Sequence, residues 1–195
     1  MHLRLPFYGL LFFSILFGNT PSNLDSLKSG LKFLKWKKID VELNQFQYGQ
    51  TYNSIISVSF IDSIEYLIES NQQNIFISGN KIKTFNKNTK QCIIDERLPE
   101  DRDIFSIISG DLSGISISNK RNENGLITFS FAMKDFEMKG AISVNSGNWH
   151  FENVVVDFDK DNWIEIQMKS WQILRGNYSF SEFGNEAEEV IDLRE

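Results

Sequence analysis

Three acids at alternate positions, Asp157, Asp159 and Asp161, imitate the first half of a calcium-binding loop. Such a loop needs a glycine at its sixth position for the sharp turn and a bidentate glutamate at its twelfth. Asn162 and Met168 stand there instead, so the stretch is expected to be a hairpin turn between two strands. Asp101 and Asp103 form a second acidic pair, but the helical spacing after them makes favourable charge at a helix N-terminus the better account. Nucleophilic chemistry finds as little support. No Gly-x-Ser-x-Gly elbow occurs, and a triad would have to use His150, since the other histidine is His2. His150 is expected to be a surface or packing residue. The lone Cys92 alternates with Ile93 and is expected to be a small buried hydrophobe. The chain has 26 acids, yet no spacing singles out a catalytic pair. No catalytic residue, metal site or cofactor is assigned, and a non-enzyme is expected.

A chain of 195 residues fits one domain, because at this length roughly 70 percent of the unfolded surface can be buried without staples. Its 20 Lys plus Arg against 26 Asp plus Glu give a charge of -6, which argues against an electrostatic grip on nucleic acid or anionic lipid headgroups. One Cys excludes an internal disulfide and, with so few His, the usual zinc clusters. Leu5 to Phe17 is a nearly continuous apolar run after His2 and Arg4. It is short for a membrane span, which takes about 20 apolar residues, and fits the core of a secretory signal. Residues 1–22 are expected to be that signal, with Thr20 and Ser22 as the small residues before the cut, leaving 23–195 as the mature domain with a charge of -7.

These residues sit on two kinds of element. Leu24, Leu27, Leu31 and Leu34 recur at three- and four-residue steps with Lys28, Lys32 and Lys35 between them, which predicts an amphipathic helix over Asn23 to about Trp36. From Asn53 the period becomes two: Ile56, Val58 and Phe60, then Ile64, Tyr66 and Ile68, alternate with polar residues. Turn residues at 71–74, 78–80 and 86–88 join successive hairpins. Pro99 to Gly110 interrupts the alternation with Ile104, Phe105, Ile107 and Ile108 at helical spacing, so a short helix with Pro and acids at its start is expected. Alternation resumes through Ile127, Phe129, Phe131 and Met133 and on to Met168. The expected fold is mainly β with helices (α+β): a curled antiparallel sheet of about ten to eleven strands. Its apolar face could be an ordinary core or could line a hydrophobic cavity.

The segment Ile75-Phe76-Ile77-Ser78-Gly79-Asn80-Lys81, followed by Phe85-Asn86, Lys90-Gln91 and the helix from Asp103 to Gly110 with Asp111, resembles the central signature of the LolA-type outer-membrane lipoprotein carrier family. Leu43-Asn44-Gln45, Ile64-Glu65-Tyr66, Tyr178-Ser179-Phe180 and Val190-Ile191-Asp192-Leu193-Arg194 extend the match in order over most of the mature chain. The resemblance implies an incomplete antiparallel barrel under a helical lid, holding lipoprotein acyl chains in a hydrophobic cavity. It also implies a monomeric carrier in the periplasm of a Gram-negative bacterium, loaded by an inner-membrane releasing complex and relieved by an outer-membrane acceptor. On that reading Ile56, Val58, Phe60, Ile64, Tyr66, Ile68, Phe129 and Phe131 line the lipid-binding cavity, and Ile104, Ile107 and Ile108 belong to the lid.

Two departures qualify the resemblance. The family's lid-fastening Arg has Phe60-Ile61 in its place, so a lid lock here is absent or built differently. The Pro-Pro step after the last aromatic strand is replaced by Ser181-Glu182-Phe183-Gly184. An alternative of another class is an envelope sensor or structural interaction domain of the same fold, which binds lipoproteins or a protein partner without transporting them.

Overall fold

The computed structural model describes residues 22–98, 103–133, 138–159, 161–176 and 178–194. Apart from Ser22, the expected export segment lies outside them, as do Pro99, Glu100 and Asp101. The chain enters through helix α1 (Asn23–Leu31) and a 3-10 turn, Lys32–Leu34. Ser22 is the N-cap: its Oγ accepts the Asp25 N–H, and Asp25 adds negative charge to the first turn. Leu27, Leu31 and Leu34 are buried and Lys28, Lys32 and Lys35 exposed, the two faces that the leucine spacing predicts. Trp36 then takes a left-handed φ of 59°. Its N–H donates to the Phe60 carbonyl and its own carbonyl accepts from Leu174, which ties the end of the helical segment to two strands.

Twelve strands follow among the described residues: β1 (Lys37–Gln47), β2 (Gln50–Phe60), β3 (Glu65–Glu69), β4 (Gln73–Ser78), β5 (Lys81–Asn86), β6 (Gln91–Glu96), β7 (Ile115–Glu123), β8 (Leu126–Met133), β9 (Met138–Asn145), β10 (Phe151–Asp159), β11 (Asn162–Ile173) and β12 (Glu189–Asp192). Helix α2 (Ile104–Ile108) lies between β6 and β7. The strands form one sheet in the order β12-β6-β5-β4-β3-β2-β1-β11-β10-β9-β8-β7. Two meanders, β1 to β6 and β7 to β11, are joined by the long antiparallel pairing of β1 with β11, and β12 adds in parallel at the β6 edge. The edges β12 and β7 do not pair with each other, so the sheet stays open. Twelve strands exceed the expected ten to eleven. One that the alternation from Asn53 leaves out is β1, although its Ile39, Val41 and Leu43 alternate with Lys38, Asp40 and Glu42.

Period two sends one residue set of each strand inward. Ile39 and Val41 of β1, Ile56, Val58 and Phe60 of β2, Phe129 and Phe131 of β8, Ile142 and Val144 of β9 and Val154 and Val156 of β10 form one buried cluster with Leu27, Leu31, Leu34, Phe105, Ile107 and Ile108 of the helical segments. Both helices therefore fill the concave side. A smaller cluster, Ile61, Leu67, Phe76 and Leu174, lies on the opposite face under Tyr178, Phe180 and Phe183. There the chain after β11 crosses the back of β3 and β4. Lys83 holds it in place, its Nζ donating to the carbonyls of Phe180 at 2.8 Å and Phe183 at 3.1 Å. Cys92 is buried beneath this segment, and burial pushes its thiol pKa up. A Cβ on Gly184 would lie 2.5 Å from its Sγ. Cys92 thus packs as the small hydrophobe its strand position predicts.

Asp159 closes the β10–β11 hairpin, its Oδ1 accepting the Asp161 N–H and its Oδ2 the Asn162 side-chain amide. The acidic triplet ends β10 and turns into β11 at Asp159 to Asn162, the hairpin that the missing glycine and glutamate imply.

One close approach decides a position in the core. Gly140 of β9 stands directly opposite Phe131 of β8, and a Cβ there would be 2.4 Å from the Val155 carbonyl oxygen and 2.5 Å from the Phe131 ring. Gly140→Ala should lower stability by about 1–3 kcal/mol through overpacking, read as a reduced urea midpoint with an unchanged m-value.

Candidate functional site

The candidate site is the concave face and the helices upon it. Of the eight residues expected to line it, Ile56, Val58, Phe60, Tyr66, Phe129 and Phe131 are buried in the main cluster and Ile68 packs against it. Of the three lid residues, Ile107 and Ile108 are buried there and Ile104 packs at its margin. Ile64 departs. It lies in the bend before β3 and is 58 % exposed, its N–H donating to Asp62 and its carbonyl accepting from Gly79. It has the parity of Tyr66 and Ile68, but β3 starts at Glu65, so a residue one step beyond the sheet's end escapes its face. The other expected cavity residues pack as a continuous core against α1 and α2.

The seam between the helices is open. A cavity of about 490 Å³ lies where α1 and its 3-10 extension face the end of α2 and the bend after β2. Its lining comprises Lys28, Leu31, Lys32, Leu34, Lys35, Phe60, Asp62, Ser63, Ser109 and Gly110. That volume falls in the usual range of ligand pockets, roughly 300–1,000 Å³. Phe60 alone among the expected cavity residues borders it. Gly110 ends α2 with a φ of +100°, and its missing Cβ would approach the Leu31 Cβ at 3.9 Å. The glycine serves the left-handed helix stop while the two helices come close.

Helix α2 has only five residues, too few to be stable by itself, and a polar network holds its first turn. Asp103 is the N-cap: its Oδ1 accepts the N–H groups of Phe105 at 2.7 Å and Ser106 at 2.9 Å. Its Oδ2 accepts the Tyr66 hydroxyl at 2.6 Å and lies 3.3 Å from the Arg97 guanidinium, which also donates to the Tyr66 oxygen at 3.3 Å. Burial first, then the neighbouring Asp103 carboxylate, pushes the Tyr66 pKa far above its ordinary value, so the hydroxyl stays a donor. At the other end Ser109 Oγ donates to the Ser63 carbonyl at 2.8 Å. Helix α2 is thus fastened to β3, to the residue after β6 and to the bend before β3. Sequence reasoning assigned Tyr66 to the cavity wall and Asp103 to the helix N-terminus but missed Arg97, whose position just past β6 gives no periodic signal.

His150 stacks on Phe33 with ring centroids 3.6 Å apart and meets Trp171 edge-on at 5.4 Å. Lys37 Nζ lies 5.2 Å from the Phe33 ring and 4.6 Å from the Trp171 ring. Burial, with a contribution from Lys37, lowers the His150 pKa, while Glu152 opposes the shift. It is a packing residue, as expected.

No protein-family model matches the chain, and no curated protein matches it. Solved structures do. An uncharacterised conserved protein from Thermus thermophilus superposes with a TM-score of 0.53 at 7% identity, over 86% of this chain and 97% of that one. At that identity the likeness concerns the fold alone. Two further structures match at lower scores: an outer-membrane lipoprotein-sorting protein domain from Vibrio parahaemolyticus (TM-score 0.48, 8% identity, 82% and 95% covered) and a LolA superfamily protein from Nitrosomonas europaea (0.47, 10%, 81% and 96%).

Two outcomes follow from the geometry. Tyr66→Phe removes the hydroxyl that donates to the half-buried Asp103 carboxylate, so it should cost about 1–3 kcal/mol and speed hydrogen exchange at the Phe105 and Ser106 amides more than at β1 amides. His150 binds its proton less readily folded than unfolded. Its contribution to stability is therefore present above the unfolded value of about 6.5 and is lost as pH falls through the lowered folded value. His150→Phe, which keeps a ring on Phe33, should flatten the pH dependence of the thermal midpoint just below that point.

Proposed function

We propose that this protein is a non-enzymatic carrier that takes up the acyl chains of lipoproteins beneath α2 and moves them through the periplasm from the inner toward the outer membrane. The observation that carries this reading is the cover of the concave face: a five-residue helix held at its ends by side-chain hydrogen bonds lies over an apolar surface of an unclosed sheet. Displacing such a cover exposes a dry apolar groove, and each methylene buried there contributes about 0.8 kcal/mol. The polar contacts that hold α2 can exchange for water, whereas the antiparallel pairing around the groove stays intact. Helix α2 is the lid, and the Tyr66, Asp103 and Arg97 cluster takes the part that an Arg at Phe60-Ile61 would have had.

The apolar run Leu5 to Phe17 supports export, and among the described residues no helix is long and apolar enough to cross a membrane. The inner-membrane releasing complex and the outer-membrane acceptor belong to the same proposal.

The test is binding followed by transfer. A fluorescent diacylated peptide should bind the purified full-length chain saturably, with little dependence on salt, and should move to acceptor vesicles faster in the presence of the protein than without it. Tyr66→Phe should change the rates of uptake and release more than the final extent of transfer. Failure to bind any acylated peptide overturns the proposal, and binding without transfer replaces the carrier with a sensor.

A further inference from the structure

The seam cavity combines two chemistries that the acidic composition hides. The chain carries a net charge of -6, yet Lys28, Lys32 and Lys35 project at helical spacing from one side of α1 and its extension onto the rim of a single cavity. Asp62 is the one carboxylate in that lining. None of the three lysines pairs with a carboxylate among the described residues, whereas Lys38 pairs with Glu69 and Lys169 with Glu42. Asp25, one turn before Lys28, accepts a hydrogen bond from the Ser22 hydroxyl at 2.7 Å. Beneath the lysines the same cavity touches Leu31, Leu34 and Phe60, which belong to the main apolar cluster. A row of exposed lysines alone would be a solvated helix face. Here it borders a cavity of about 490 Å³ whose floor continues into the concave core.

We infer that this cavity is the entry site for an anionic amphiphile, with its phosphate or carboxylate group on Lys28, Lys32 and Lys35 and its chain directed past Phe60 into the seam between α1 and α2. The inference rests on the acyl-chain reading above and adds the charge of the ligand's head. Lysine ammonium groups suit this role because they reach a headgroup on flexible stems whose methylenes cover the apolar wall. The site sits at the C-terminal end of α2, which Ser109 bonds to Ser63, so a chain entering there meets the end of the helix that the Asp103 network does not hold.

The experiment compares fluorescent phosphatidylglycerol and phosphatidylcholine analogues with the same acyl chains, bound to the full-length protein and to K28Q/K32Q/K35Q. These positions are exposed, and an unchanged thermal midpoint of the triple variant verifies its fold. The anionic probe should bind the native protein roughly ten- to hundredfold more tightly than the zwitterionic one. The preference should shrink as salt rises from about 0.05 to 0.5 M and vanish in the triple variant. Inorganic phosphate at matched concentration should not displace it. Equal binding of both probes, or a preference that survives in the triple variant, overturns the inference while leaving the acyl-chain reading in place. Displacement by inorganic phosphate as effective as by the lipid makes the site a plain anion site and also overturns it. Binding of neither probe overturns this inference, while the acyl-chain reading stands or falls with the diacylated peptide.

Discussion

An antiparallel sheet that curls without closing has one apolar face that no other sheet covers, and everything else in this molecule answers that constraint. Left to water, the inward residues from β1 to β11 would form an apolar surface far larger than a soluble monomer ordinarily exposes. Two short helical segments cover it. The first, α1 with its 3-10 turn, does so through three buried leucines. The second, α2, brings Phe105, Ile107 and Ile108. The sheet holds itself together by the long pairing of β1 with both β2 and β11, so its integrity does not depend on the helices.

That division separates an extensively paired part from one held by few contacts. Strand pairing is extensive, and the back-face cluster under Phe180 and Phe183 is apolar, with Lys83 fastening the segment above it. The attachment of α2 is the reverse: few residues, with carboxylate, phenol and guanidinium doing at its N-terminus what a longer helix would do by packing. Asp103 is a half-buried carboxylate with two backbone N–H groups, a hydroxyl and a guanidinium around it. The same cluster explains why the departure at Phe60-Ile61 does not leave the helix unfastened. Phe60 is instead an apolar member of the core and part of the floor of the seam cavity.

Composition misleads on one point. A charge of -6 speaks against a basic footprint for the chain as a whole, but net charge sums over a surface and says nothing of its distribution. The lysines of α1 lie together because the leucine period that buries one helix face concentrates what is left on the other.

Several features were legible in the residues alone. Leucine spacing determined α1, alternation determined most strands and which residues share a face, and Cys92, His150 and the Asp159 to Asn162 turn took the roles their surroundings in the chain imply. These depend on near neighbours, where backbone geometry converts spacing directly into side-chain direction. Where a strand starts is a matter of hydrogen bonding to its partner, so Ile64 kept the right parity and still fell outside the sheet. The joining of Arg97, Asp103 and Tyr66, separated by up to 37 residues, and of Lys28, Lys32 and Lys35 with Asp62 and Gly110 was decided only by the tertiary structure. Polar contacts across a curved sheet carry no period in the sequence, because sheet curvature and helix placement, and not local spacing, bring their atoms together.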